Sequence, residues 1–357
     1  MKNIWTYSTQ ENGLGSNDVY DTVLGKAPLV YAATAKGISG TGDSGKTWGP
    51  GTALGLDFGT DICANRRSGT ILFTGADDSG LGVLPSGQTE PYYIHQKDGI
   101  YSDAISSVQI DESVISDHPI GAAYLSHYSG GLSGGLPADR TISRYSVKTG
   151  TWQVLQPEAF AGVIDAIIRI RLFNGSIYVC GYGALAISDD GERWKVISDF
   201  NVAPRPINPF VSGQYYQVHD FHVNAKGEWY VLLTFKIYES AVSHVLKSND
   251  GGETWASILY SDRVRAGFLW METAGDDLFV IGDAALRVLN GKNLSVRFFD
   301  EQNGLNAHPD DVDLGPGSSP SMRAMSTFLP IPAWQSRRSR PSQRIRPCGI
   351  TRQCRMV

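Results

Sequence analysis

Long apolar runs are missing from this chain, and so is any stretch patterned as a long amphipathic helix. The first absence predicts no helical membrane span, and Met1-Lys2-Asn3-Ile4-Trp5, which passes straight into polar residues without an apolar core, is not expected to act as a secretory leader. The second leaves an all-β chain. Cysteine is scarce as well: Cys63, Cys180, Cys348 and Cys354 show neither metal-ligand nor disulfide-framework spacing. A reducing compartment and a cytoplasmic location are the default expectation, with non-classical export or a phage particle left open. Neither sign of charge dominates, because 31 basic and 36 acidic residues leave a net charge of −5 over 357 residues. That balance gives the body of the chain no electrostatic reason to bind nucleic acid or an anionic membrane.

Glycine and aromatics are plentiful: 40 Gly, 16 Tyr, 13 Phe and 8 Trp suit many short strands joined by tight turns. One pattern recurs. Ser248-Asn249-Asp250-Gly251-Gly252-Glu253-Thr254-Trp255 repeats Thr41-Gly42-Asp43-Ser44-Gly45-Lys46-Thr47-Trp48, and Ile187-Ser188-Asp189-Asp190-Gly191-Glu192-Arg193-Trp194 is a worn copy that aligns Asp189, Gly191 and Trp194. This is turn chemistry. The Asp accepts backbone N–H groups of the loop, Gly supplies positive φ, the Thr hydroxyl ties back, and Trp opens the next strand with an apolar face to bury.

These residues resemble the Asp-box (BNR) repeat family of sialidase-like propellers, whose motif caps the hairpin between the third and fourth strands of a blade. The resemblance implies a β-propeller of four-stranded antiparallel blades and leaves activity open, because the family includes sialidases, sorting-receptor ectodomains, photosystem-assembly factors and xyloglucan hydrolases. The sialidase catalytic pattern is not matched. No early F/Y-R-I-P segment exists, Arg205-Pro206-Ile207-Asn208 lies late, and Arg66, Arg67, Arg140, Arg169 and Arg171 assemble into no triad from sequence.

Blades start near residues 18, 61, 103, 165, 220, 269 and 311, a repeat of about 40–60 residues stretched by two insertions. The insertions, Ser129 to Pro137 and Ser198 to Tyr216, are irregular loops of the kind that carry binding. Residues 4–11 match Val296 to Leu305 and are expected to close the ring as the outer strand of a seventh blade begun at Asp311. The reading is thus a seven-bladed propeller over residues 1–317 with an incomplete seventh blade. After Asp313 no acidic residue occurs while eight arginines gather among Ser and Pro. Residues 318–357 are either a frameshifted, aberrant end or a basic disordered tail.

Two clusters are candidates for chemistry. Asp18, Asp61, Asp103, Asp165, Asp220 and Asp311 each open an innermost strand, so they could ring the channel mouth and hold calcium, or each could bond its own turn. Tyr215, Tyr216, His219, Asp220 and His222 form a polar and aromatic patch suited to a ligand, with strand alternation placing Asp220 and His222 on one face. The expected function is non-catalytic binding or scaffolding toward a glycan or protein partner; the alternative is a sialidase-like glycoside hydrolase.

Overall fold

The structure, a computed structural model, describes residues 8, 10–17, 19–26, 29–43, 45–49, 52, 54, 56, 61–74, 79–127, 140–164, 166–201, 216–237, 240–261, 268–282 and 285–299. Six antiparallel meanders account for its strands. Blade one holds β1 (Val19–Leu24), β2 (Val30–Thr34) and β3 (Gly37–Thr41); blade two holds β4 (Ile62–Asn65), β5 (Thr70–Thr74), β6 (Leu81–Leu84) and β7 (Tyr92–Ile94). Blade three comprises β8 (Ile105–Ile110), β9 (Ala123–His127), β10 (Ile142–Ser146) and β11 (Thr151–Leu155), and blade four β12 (Ile167–Phe173), β13 (Ser176–Gly181), β14 (Leu185–Ser188) and β15 (Lys195–Ile197). Blade five is β16 (Tyr216–Val223), β17 (Trp229–Ile237), β18 (Ser240–Ser248) and β19 (Ala256–Ser261); blade six is β20 (Phe268–Ala274), β21 (Asp277–Gly282), β22 (Ala285–Leu289) and β23 (Val296–Phe299).

The second strand of every blade is an apolar run buried on both faces, as a sheet packed between two neighbours requires. Thr70–Thr74 is buried at all five positions. Its side chains fill clusters that lie between blades: Leu72 with Val108 and Leu125 across seam two–three, and Tyr178 with Phe221 and Val231 across seam four–five. Tyr178 stacks on Phe221 at 4.3 Å, an offset that adds to the area both rings bury.

The innermost strands pack in chain order, β1 on β4, β4 on β8, β8 on β12, β12 on β16 and β16 on β20. No comparable packing joins β20 back to β1 among the described residues. Six blades, not seven, are formed among the described residues. The start at Asp311 and the tail 318–357 lie outside the described residues, as do residues 4–7 of the expected closing strand. Gln10–Asn12, the end of that segment, is a 3-10 turn instead of a strand. Gly13 explains the difference. At φ 93° it presses against the Trp48 carbonyl, where a Cβ would collide, while the Trp48 amide donates to the Asn12 carbonyl at 2.9 Å. The chain is bent onto the loop of blade one before it can run on as a strand.

Candidate functional site

A β-bulge near the start of the innermost strand recurs in five blades, between Val19 and Asp21, Ile105 and Ser107, Ile167 and Arg169, Val218 and Asp220, and Phe268 and Trp270. An extra residue there re-aims the side chains that follow. What they reach is the neighbouring blade. Asp21 Oδ2 accepts the Ile62 amide at 3.0 Å, and Asp61 Oδ2 accepts the Ser107 hydroxyl at 2.8 Å and the Val108 amide at 2.9 Å. Ser107 Oγ in turn accepts the Ile170 amide at 3.4 Å. Arg171 clamps Asp220 with Nε to Oδ1 at 2.8 Å and Nη2 to Oδ2 at 3.0 Å, and Arg169 adds Nη1 to Oδ2 at 3.2 Å. His222 lies 3.6 Å from Asp220 and 3.2 Å from Glu272 of blade six. A polar belt thus runs across all five seams.

Burial sets its protonation. Desolvation alone would raise the Asp220 carboxyl, which is 0% exposed, but Arg171, Arg169 and His222 outweigh it and hold it well below the usual carboxylate range. Burial likewise opposes a charged His222, yet Glu272 and Asp220 win and raise it. Glu272 is lowered against its own burial, chiefly by His222. His219, the bulged residue, moves the other way: burial first and Arg169 second depress it to about 4, so it is neutral near pH 7. In blade one Asp21 is raised to about 8, by burial and then by Asp61, with which it shares a hydrogen bond. Close like charges resist double ionisation, and Asp21 keeps its proton near pH 7.

Of the anticipated ligand patch, Asp220 and His222 share a face as alternation requires, but that face is closed, at 0% and 2% exposure. They are joined to Arg169, Arg171 and Glu272. Tyr215 and the Tyr216 side chain lie outside what is described. The Asp row does not form one ring among the described residues. Asp61 bonds blade three, Asp220 is clamped by arginines, and Asp103 turns away to accept the Gln96 amide. Asp18, Asp165 and Asp311 lie outside the described residues. In blade one the belt is joined by Asp21, a residue that sequence spacing passed over because the bulge breaks the strand's count of two. No group of three or more His, Cys, Asp and Glu side chains is placed to hold a metal ion among the described residues.

The recurring loops follow the third strand of blades one, four and five, and in blades four and five they lead into the fourth. Thr41 Oγ1 donates to Asp43 and accepts the Gly45 amide at 3.0 Å, and Asp43 accepts the amides of Lys46 and Thr47 and the Thr47 hydroxyl. Bonds from the Thr47 amide and hydroxyl lower the Asp43 carboxyl to about 2. Ser248, Asp250, Gly252 and Thr254 repeat the network. In blade four the alignment through Asp189 is corrected to Asp190, which accepts the Glu192 and Arg193 amides, while Asp189 takes the Ser176 hydroxyl. The loop there is one residue shorter, so the Asp is reached one position later. Trp48 is buried, and Trp194 and Trp255 pack beneath their loops against Phe160 and Phe200.

No protein-family model matches the chain, and no curated protein matches it. Solved structures do resemble it. The extracellular domain of BT3049 from B. thetaiotaomicron aligns over 83% of this chain and 36% of its own length, at 12% identity and a TM-score of 0.55. The Cps50 (Swd1) β-propeller domain of Myceliophteria thermophila aligns over 80% of this chain and 87% of its own, at 9% identity and a TM-score of 0.52. This chain spans about a third of the BT3049 structure, and at these identities the likeness is one of fold. Both agree with the propeller. No helix among the described residues is long and apolar enough to cross a membrane.

Proposed function

We propose that the chain is an Asp-box-type propeller that acts as a non-catalytic binding or scaffolding module for a glycan or protein partner. The observation that carries this reading is the fate of Arg169 and Arg171. A sialidase-like pocket needs three arginines open to a substrate carboxylate, whereas both of these reach the same buried carboxylate of the protein itself. Arg66 and Arg67 are engaged elsewhere, with Glu112 and Asp117. The channel groups therefore hold blades together, and recognition falls to the faces and rims of a rigid scaffold, where loops vary at little cost to the fold.

A fluorogenic sialoside assay on the purified chain tests it. The expected result is no turnover above the rate without protein. Turnover that disappears in Arg169→Ala while the variant keeps its β-sheet circular dichroism would replace the binding module with the hydrolase. The extracellular placement of the BT3049 domain also stands against reading a cytoplasmic location from composition alone.

A further inference from the structure

We propose that the rim of the seam between blades two and three is a saccharide site, with Trp152 as its stacking wall and Lys97 and Asp98 as its hydroxyl-binding groups. This inference rests on the binding-module reading and narrows the partner to a glycan.

The site arises at a seam that no loop glycine plugs. In blades four and five the glycine of the recurring loop presses on the outer strand of the blade before. A Cβ on Gly191 would stand 3.4 Å from Leu155 of β11, and one on Gly252 would stand 2.8 Å from Ile197 of β15. Blade three keeps the serine of that loop as Ser146 but has Lys148 where the others have Asp. Its turn closes tightly, with the Gly150 amide donating to the Ser146 carbonyl at 2.8 Å, and a Cβ on Gly150 would meet only the Tyr145 hydroxyl, at 3.8 Å. The seam stays open as a cleft of about 480 Å³ between that turn and the 3-10 turn Gln96–Asp98 of blade two. Such a volume suits a small ligand.

Its lining is what a sugar ring requires. Trp152 is half-buried, fixed edge-to-face on Tyr145 at 5.1 Å, and Gly99 lies along it without a side chain to cover it. The Tyr145 hydroxyl is already bonded to His118 at 3.1 Å, so that ring serves as apolar floor. The lip is polar. Lys97 has no ion-pair partner among the described residues, and Asp98 spends Oδ2 on the His95 amide at 2.9 Å and keeps Oδ1. A pyranose offers C–H faces to an aromatic wall and paired hydroxyls to a carboxylate and an ammonium, whose charged hydrogen bonds are stronger than neutral ones. A peptide anchor would want a deeper apolar socket than one bounded by two free charges.

The whole chain, probed on an array of immobilised hexose, N-acetylhexosamine and uronic-acid oligosaccharides and then by titration with a bound oligosaccharide, tests the proposal. Wild type is expected to bind at least one. Asp98→Ala and Lys97→Ala, both exposed and outside the core, should each weaken it about tenfold, the size of one charged hydrogen bond. Trp152→Ala should abolish it, and Tyr260→Ala on blade five should leave it unchanged. An oligosaccharide held equally by wild type and by the Asp98 and Lys97 variants binds elsewhere; that overturns this site and leaves the binding module standing. No oligosaccharide bound by wild type also overturns it, and capture of a protein partner by the same chain would then preserve the module reading alone.

Discussion

Seam four–five and seam two–three join equivalent faces of equivalent blades, yet they are closed by different means. At its inner end the former carries two arginines on one buried carboxylate, and at its outer end Gly252 sits against Ile197 and Trp229 while Lys195 reaches Glu253. The latter is held inside by Asp61 on a hydroxyl and an amide, and is open outside. Apolar packing is comparable in both, so the polar ends are what differ. The lesson is that the core specifies the blade, while each seam's ends set how rigid and how accessible it is.

Removing Asp220 should break the comparison most sharply. Asp220→Ala would leave Arg169 and Arg171, both half-buried, without the carboxylate they share, beside a histidine that has lost one of its two acids. Breaking such a pair from one side costs about 3–5 kcal/mol. Urea denaturation should show that loss with a nearly unchanged m-value. Asp61→Asn, which keeps an oxygen for the Val108 amide, should cost far less; equal losses at the two seams would mean that charge is not what distinguishes them.

The contrast also explains what could be read beforehand. The turn chemistry of Asp43 and Asp250 is local, so the residues alone placed both loops. Seam chemistry is not local. Arg169 and Asp220 lie 51 positions apart, and each meets the other only because a bulge shifts its strand by one. Counting by two from Asp18 therefore missed Asp21, and alternation at 219–222 paired the right residues without telling which face is buried. Blade number was misread for a related reason: the match of residues 4–11 to Val296–Leu305 is a pattern of residue types, whereas Gly13 and Trp48 fix the end of that segment through a tertiary contact.

Glycine exchanges at the loops sharpen the comparison at the rim. Gly252 and Gly150 both have positive φ, 82° and 69°, so alanine at either pays the same left-handed strain of about 1 kcal/mol. Only at Gly252 does the new Cβ also crowd Ile197 at 2.8 Å and Trp229 at 3.0 Å. Gly252→Ala should therefore lose about 1–2 kcal/mol more than Gly150→Ala in chemical denaturation, given the cost of overpacking. Equal losses would mean that the loop glycine does not plug the seam.

A perturbation read through pH lies at seam one–two, where burial beside Asp61 keeps the Asp21 carboxyl protonated. Folding raises Asp21 to about 8, so between the ordinary carboxylate range and pH 8 the folded chain holds a proton that the unfolded chain has released. Stability from this group is intact below about pH 4 and declines as pH rises toward 8. His222, also raised, adds a decline above its unfolded value near 6.5, whereas Glu272 and Asp220, both lowered, lose stability on the acid side. Asp21→Asn keeps an oxygen for the Ile62 amide and removes the titration. Its melting temperature should match wild type near pH 4 and exceed it at pH 8, with the difference growing across that interval. A parallel pair of curves would show that the proton is not held at this seam, and the wild-type decline would then belong to His222.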